Sequence, residues 1–156
     1  MGRARRFVQG FSRGEGVPGM EWKREFEIGH EAIDAQHQEL FAHVGGLLAA
    51  IAGGRQEQVG PALQFLHRYV LDHFAAEQGL MAAAGYPQAD AHAAEHARFA
   101  KDLLALETQR GGNPGNPWLA SKLAVGLASW LRQHVLGADR ELGRFLRAQG
   151  ERSAAE

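Results

Sequence analysis

Four long stretches of the chain carry an apolar residue at every third or fourth position, which is the spacing of one buried face of an α-helix. These stretches predict helices over about residues 30–52, 56–84, 89–110 and 118–136. Glycine and proline, which do not continue a helix, separate them at Gly53-Gly54, at Gly85-Tyr86-Pro87 and over residues 111–117. No stretch alternates apolar and polar residues in the manner of a β-strand.

The ends of the chain add two shorter elements. Residues 21–29 predict an extended arm, and Leu142, Phe145 and Leu146 indicate a short fifth helix. The predicted fold class is therefore all-α: an antiparallel up-down-up-down four-helix bundle with an N-terminal extended arm and a short C-terminal fifth helix. We expect this domain to cover residues 20–150, between a flexible basic tail at residues 1–19 and a frayed tail at residues 151–156.

Length and composition are those of one ordinary globular domain. The chain has 156 residues, of which 45% are hydrophobic and 22% charged, and its net charge of −1 gives no footprint for nucleic acid. The absence of cysteine excludes disulfides, thiolate metal sites and cysteine nucleophiles. The longest apolar run, residues 47–52, is far below the roughly 18 residues that a membrane helix needs. We expect a cytoplasmic monomer without stable membrane insertion.

The basic tail carries four arginines within residues 3–13. Arg5-Arg6-Phe7-Val8 has a weak likeness to a twin-arginine export signal, but no apolar segment follows it. Met20, just before Trp22, is an alternative start of the protein. We therefore predict a solvated tail at residues 1–19 rather than a targeting segment.

Six polar residues occupy apolar-stripe positions, which face the predicted core. They are His37, His73, Glu77, His92, His96 and His134. Partners four residues apart, as in His73 with Glu77 and His92 with His96, lie one turn apart on one helical face. Buried polar side chains are costly unless they are paired, and a shared metal centre would pair all of them at once. The pattern therefore predicts a metal site inside the bundle.

Asp139 joins this set by a separate argument. It follows His134 by five residues, about 140° round an ideal helix, so both side chains cannot point inward from a regular helix. Gly137 lies between them, and we predict that it breaks the fourth helix and lets Asp139 turn back towards the core.

With Asp139, the set contains five imidazoles and two carboxylates, which are too many ligands for one ion. Two octahedral ions bridged by both carboxylates and by one oxygen would have a single open position. Nitrogen and oxygen donors without sulfur favour iron, although manganese or zinc accept similar donors. An open position on a redox-active pair suits O2, NO or a small anion.

The motifs around these residues resemble those of the bacteriohemerythrins, the single-domain bacterial branch of the hemerythrin family. The resemblance covers about residues 20–148, and all seven ligand positions are filled in order. The matching motifs are Trp22, Ile33-Asp34-Ala35-Gln36-His37, His73-Phe74-x-x-Glu77, Met81, Gly85-Tyr86-Pro87, His92-x-x-x-His96 and Trp130-Leu131-x-x-His134-x-x-x-x-Asp139. Two features depart mildly from the family pattern: Gln78-Gly79 replaces a more acidic stretch, and the basic tail lies outside it.

The resemblance implies two iron ions, oxo- or hydroxo-bridged, that exchange electrons with O2 reversibly in storage, delivery or sensing of oxygen. It implies that the iron with the open position is bound by His37 and His73. It implies that the second iron is bound by His92, His96 and His134, and that the bridging carboxylates are Glu77 and Asp139. Candidates to line a dry O2 pocket are Phe74, Trp130 and Leu131.

Other polar residues near the ligands are predicted to lie outside the site. His43 and His67 are each six residues from a ligand, about 240° round the helix, so we expect them to face solvent. His30 is expected to be solvated or else to support a ligand from outside. Asp34 is expected either to hydrogen-bond an imidazole or to place a charge in the first turn of its helix.

Two other functions stay open at this point. One is a di-iron enzyme that reduces peroxide or NO, and the other is an iron-storage or iron-responsive protein. Ferritin-like oxidases carry two Glu-x-x-His motifs on helices of the bundle, whereas the match here, Glu27-Ile28-Gly29-His30, precedes the predicted helical core. We therefore expect an O2-binding protein rather than an enzyme.

Overall fold

The computed structural model describes residues 20–113 and 116–154 of the chain. The long helices are α1, Glu31–Ala52; α2, Gln56–Ala84; α3, Ala89–Gly111; and α4, Pro117–His134. The shorter elements are a 3-10 turn, Arg24–Phe26; a π-helical turn, Val135–Asp139; and a fifth helix, α5, Arg140–Ala154. The tail predicted at residues 1–19 lies outside the described residues.

The prediction of an all-α four-helix bundle is confirmed. Helices α1 and α3 each pack against both α2 and α4. Every regular element in residues 20–113 and 116–154 is helical. The apolar stripes meet in one main core, in which Leu40, Val44, Leu66 and Leu123 are at most 1% exposed. Burial of side chains of this size stabilises the fold by about 1.5–3 kcal/mol each.

Local residue choices fix the ends of the helices. Asn116 caps α4, because its side-chain oxygen accepts a hydrogen bond of 3.0 Å from the backbone N–H of Trp118. His30 caps α1, with its Nδ1 atom 3.4 Å from the backbone nitrogen of Ile33. Gly85 ends α2 with a φ of +61°, a left-handed conformation that favours glycine. These caps set the positions from which the site residues project.

The junction between α4 and α5 differs from the prediction of a break at Gly137, which is wrong. The chain stays helical through Val135–Asp139, where it makes a single π-helical turn. Such a turn adds a residue to the helical repeat, so that positions i and i+5 come to lie on the same face. His134 and Asp139 therefore both point inward from one continuous helical path.

Helix α5 holds the N-terminal arm against the bundle. Arg147 donates a hydrogen bond to the carbonyl oxygen of Ile28, and Arg140 donates one to that of Glu25. Gly143 approaches the arm so closely that an added Cβ would lie 2.2 Å from the Ile28 carbonyl oxygen. The prediction of an extended arm is wrong in part, because the arm contains the 3-10 turn.

Helix α5 also extends further than predicted. Its helical structure continues past Gly150 to Ala154, over residues that were expected to fray. Leu142 seats the helix on a small second core with Met81 and Tyr86. Across the part of the chain that the structure describes, no helix has a stretch long and apolar enough to cross a membrane.

Candidate metal centre

The seven ligand candidates converge at one level of the bundle. They come from all four long helices and from the π-helical turn: His37, His73, Glu77, His92, His96, His134 and Asp139. None of them is more than 5% exposed. So many buried polar groups in an otherwise apolar core require partners that compensate for lost hydration.

The candidates form two groups that share both carboxylates. The first, here called the two-histidine half, consists of His37, His73, Glu77 and Asp139. The second, the three-histidine half, consists of Glu77, His92, His96, His134 and Asp139. In each half, one donor atom from every member lies within 4.8 Å of the donor atoms of the others. Each half could therefore hold one metal ion.

The Glu77 carboxylate turns one oxygen to each half. Its Oε1 atom lies 3.5 Å from Nε2 of His37 and 3.4 Å from Nε2 of His73. Its Oε2 atom lies 3.4 Å from Nε2 of His92 and 3.2 Å from Nε2 of His96. This is the orientation of a carboxylate that spans two ion positions.

The Asp139 carboxylate likewise turns one oxygen to each half. Its Oδ2 atom lies 3.2 Å from Nε2 of His37 in the two-histidine half. Its Oδ1 atom lies 3.1 Å from Nε2 of His92 and 3.0 Å from Nε2 of His134 in the three-histidine half. The π-helical turn makes this possible, because it brings Asp139 to the same face as His134.

The spacing of the ring nitrogens matches metal coordination. In the three-histidine half, the Nε2–Nε2 distances are 3.2, 3.0 and 2.8 Å. In the two-histidine half, the single Nε2–Nε2 distance is 3.1 Å. Two nitrogens that bind one ion at about 2.1 Å and at right angles lie about 3.0 Å apart. The donor set therefore fits an ion in each half.

Two of the ligand imidazoles are oriented by hydrogen bonds on the side that faces away from the centre. Nδ1 of His134 donates a hydrogen bond of 3.1 Å to a carboxylate oxygen of Glu95. Nδ1 of His73 donates one of 2.8 Å to the amide oxygen of Gln36. A neutral imidazole has one N–H, so when Nδ1 is the donor in the neutral form of either ring, the Nε2 lone pair points into the centre. Inward lone pairs are what a metal ion binds.

Gln36 and Glu95 support two of the ligands, a role that was not predicted from the sequence. Each directly precedes a ligand candidate, His37 or His96, yet its side chain reaches an imidazole on the neighbouring helix. A polar residue next to a ligand is the only sequence signal for such a role. Which imidazole it supports depends on how the helices pack.

Burial and the two carboxylates shift the pKa values of the histidines in opposite directions. Burial alone would lower the pKa of His37 and of His92, but Asp139 and then Glu77 outweigh it and raise each pKa to about 9. Burial dominates at His73, where it lowers the pKa to about 4, and it also lowers the pKa of His96. Each half therefore contains one imidazole, His37 or His92, that is doubly protonated and positively charged at neutral pH.

The carboxylates themselves remain ionised. Burial would raise the pKa of Glu77 and of Asp139, but hydrogen bonds from the histidines outweigh it and hold both pKa values well below the ordinary range. A metal ion binds carboxylates in this deprotonated form. The centre thus combines two negative charges with nitrogen donors.

Aromatic rings pack most closely against the three-histidine half. Phe74 stacks on His96 with ring centres 3.8 Å apart, and Trp130 stacks on His134 at 4.3 Å. These two residues, expected to line an O2 pocket, therefore lie against imidazoles of the half without the expected open position. Leu131, the third pocket candidate, is 3% exposed and belongs to the main core.

The N-terminal arm packs next to the two-histidine half. The ring of Trp22 lies 6.4 Å from that of His37, measured between ring centres. Trp22 also packs on Phe26 of the arm at 5.7 Å and on Phe41 of α1 at 5.3 Å. The arm therefore forms part of the wall of this half.

His43 and His67 lie outside both halves, but the prediction that they face solvent is wrong. Both are half-buried between helices. The ring of His43 lies 4.2 Å from that of Phe65 on α2, and burial lowers its pKa. His67 on α2 pairs with Glu107 on α3.

His30 and Asp34 support the start of α1. His30 is the cap of this helix. Asp34 accepts hydrogen bonds from the backbone N–H groups of Ile28 at 2.8 Å and of Gly29 at 3.0 Å. Asp34 therefore anchors the arm rather than an imidazole.

Comparison with known proteins gives the class to which this arrangement belongs. The family profile described as "Hemerythrin HHE cation binding domain" matches residues 28–146, a range that includes all seven ligand candidates. The chain belongs to the hemerythrin family. The resemblance drawn from the sequence motifs is thereby confirmed.

Relatives of the chain carry the same family name. A bacteriohemerythrin of Stenotrophomonas maltophilia (strain R551-3) is 29% identical over 137 residues, which cover 86% of each chain. A bacteriohemerythrin of Ralstonia nicotianae is 30% identical over 136 residues, which cover 86% of this chain and 93% of the relative. A solved wild-type hemerythrin has a TM-score of 0.74 and 27% identity, and the match covers 81% of this chain and 96% of that one. The hemerythrin likeness therefore extends over the whole bundle.

Proposed function

We propose that this protein is a non-haem di-iron protein that binds O2 reversibly, as a cytoplasmic monomer active in storage, delivery or sensing of oxygen. The observation that carries the proposal is the orientation of Glu77 and Asp139, each of which presents one carboxylate oxygen to each half of the centre. Membership of the hemerythrin family and the names of the relatives support iron as the metal and O2 as the ligand.

In the proposed centre, each half would hold one iron, and Glu77 and Asp139 would contribute a ligand oxygen to both. His37 and His73 would hold one ion, and His92, His96 and His134 would hold the other. The two-histidine half supplies one nitrogen fewer, so we assign the open position to it. The two irons together would supply the electrons for reversible O2 binding.

The surrounding chain keeps the centre dry and its ligands oriented. Phe74 and Trp130 stack on His96 and His134 and so hold these rings in place. Leu131 lies one turn before His134 on α4, and we retain it as the candidate for the wall of an O2 pocket. Exclusion of water from this space would slow the proton-driven loss of bound O2.

Optical spectroscopy of iron-loaded protein tests the proposal. Protein loaded without oxygen should contain about two irons per chain, gain charge-transfer bands when O2 is added and lose them when O2 is removed. Irreversible oxidation would contradict reversible binding. Sustained consumption of peroxide or NO would favour an enzyme, and failure to take up iron would contradict the ligand assignment.

A further inference from the structure

The two halves of the centre differ in the group that accepts a hydrogen bond from a ligand imidazole. In the two-histidine half, Nδ1 of His73 donates to the amide oxygen of Gln36 at 2.8 Å. In the three-histidine half, Nδ1 of His134 donates to a carboxylate oxygen of Glu95 at 3.1 Å. An ionised carboxylate is negatively charged and an amide is neutral. The halves therefore differ by one formal charge at corresponding places.

The two acceptors occupy corresponding places in the fold. Gln36 directly precedes the ligand candidate His37 on α1 and reaches across to α2. Glu95 directly precedes the ligand candidate His96 on α3 and reaches across to α4. The two contacts are therefore built alike, and the charge of the acceptor is the main chemical difference between them.

The charge of Glu95 acts on the centre through His134. A carboxylate draws the Nδ1 proton more strongly than an amide does, and this makes Nε2 of the same ring a stronger electron donor. That Nε2 atom faces the ion position, 3.0 Å from the Oδ1 atom of Asp139. Trp130 stacks on His134 at an interplanar angle of 14°, which keeps the N–H directed at Glu95. A stronger donor favours the more highly charged state of the metal.

The carboxylate of Glu95 lies at the surface of the bundle. Its side chain is 44% exposed, whereas that of His134 is 2% exposed. One hydrogen bond therefore connects a hydrated carboxylate to a buried ligand. Glu95 can keep its charge in water without the desolvation cost of a fully buried group.

We propose that Glu95 is a positioning residue that makes the ion of the three-histidine half easier to oxidise than the ion of the two-histidine half. This inference rests on the proposed function, because it requires a redox-active ion in each half. Its consequence is a division of roles, in which one half offers the open position and the other holds the more readily released electron.

Three variants test this inference. Glu95→Gln keeps an acceptor oxygen for His134 and removes only the charge, whereas Gln36→Glu adds the charge to the two-histidine half. Glu107→Gln is the matched control, because Glu107 also lies on α3, about 18 Å further along the helix, and its carboxylate also pairs with a histidine, His67 of α2. For each variant and the wild type, iron per chain and the midpoint potentials of the two one-electron steps are measured in a mediated redox titration.

In Glu95→Gln, we expect the equilibrium constant of one oxidation step to shift about tenfold towards the reduced ion. The midpoint potential of that step should therefore rise by about 59 mV for one electron. Gln36→Glu should shift a step in the opposite direction, and Glu107→Gln should leave both steps unchanged. Potentials that stay the same in both charge variants, with wild-type iron content, would overturn the inference and leave the proposed function intact. Wild-type protein that takes up no iron would overturn both. If Glu95→Gln loads no iron, the potentials of Gln36→Glu decide alone.

Discussion

The two halves of the metal centre share both carboxylates and the same depth of burial but are supported in different ways. The histidines of the two-histidine half come from α1 and α2, and this half lies next to Trp22 of the arm, which α5 holds in place. The histidines of the three-histidine half come from α3 and α4, and aromatic rings stack directly on His96 and His134. The wall of the two-histidine half thus includes a residue from outside the bundle, whereas the rings that hold the three-histidine half come from helices of the bundle. Under the proposed function, this difference suits the two-histidine half to admit a ligand and the three-histidine half to stay closed.

Removal of Glu77 should have the largest effect, because its two oxygens face both halves at once. In Glu77→Ala, we expect iron to fall from about two per chain to fewer than one, since each ion loses a negatively charged ligand. Metal analysis of desalted protein measures this loss.

His43→Ala is the control for this experiment. His43 lies outside both halves and packs on Phe65, so its removal should affect stability while iron content stays at the wild-type value. Equal loss of iron from Glu77→Ala and His43→Ala would contradict the assignment of the ligands.

A change of pH should act on both halves alike, because each contains one imidazole whose pKa is raised to about 9, His37 or His92. In the metal-free protein at pH 7, both hold protons that a metal ion must displace. The apparent affinity of each half for a metal ion should therefore rise as pH increases from 7 to 9, by up to about tenfold per pH unit, and level off above that range. Calorimetric titration with Zn²⁺ in buffers of different ionisation enthalpy measures the protons released.

The same two protons should also affect the stability of the metal-free protein. Because the folded pKa values lie above the ordinary 6.5, their contribution to the free energy of unfolding is fully present below pH 6.5 and is lost as pH rises through about 9. The metal-loaded protein should not show this alkaline loss. A metal affinity that stays constant from pH 7 to 9 would contradict the proton assignment.

Gly143→Ala should act on the two-histidine half alone. An added Cβ would lie 2.2 Å from the carbonyl oxygen of Ile28, so the arm must shift and carry Trp22 away from His37. We expect the free energy of unfolding to fall by about 1–3 kcal/mol and the loaded protein to autoxidise faster. Urea unfolding and the decay of the O2-bound spectrum measure the two effects.

Gly150→Ala on the same helix is the matched control for Gly143→Ala. An added Cβ at Gly150 meets no atom within 4 Å. Alanine favours a helix over glycine, so this variant should be more stable by up to about 1 kcal/mol. If both variants behaved alike, the arm would not be what supports this half.

The helices and the buried ligands could both be predicted from the hydrophobic periodicity of the sequence. A period of 3.6 residues marks the buried face, and polar residues such as His73 and Glu77 on that face are then conspicuous. The π-helical turn could not be predicted in this way. An extra residue in a continuous helix and a break at Gly137 both displace the periodic pattern, so the apolar positions do not distinguish them.

Contacts between helices could not be predicted from the periodicity either. The angle of a residue round its own helix says which way it points but not what the next helix places there. Gln36 and Glu95 therefore went unrecognised, although each supports an imidazole on a neighbouring helix. For the same reason His43 and His67 were expected in solvent, whereas neighbouring helices half-bury them.

Gly137→Ala should have the smallest effect, and it distinguishes a π-helical turn from a break beside the three-histidine half. A break that depended on glycine would be opposed by a side chain, and Asp139 would no longer reach the centre. In the structure, however, Gly137 lies within a continuous helical turn, and an added Cβ meets no atom within 4 Å. We therefore expect wild-type iron content and a free energy of unfolding that is unchanged or up to about 1 kcal/mol higher, measured by metal analysis and by thermal unfolding of the metal-free protein. Loss of iron from this variant would mean that the three-histidine half depends on a flexible joint, and that its contrast with the two-histidine half is smaller than the packing indicates.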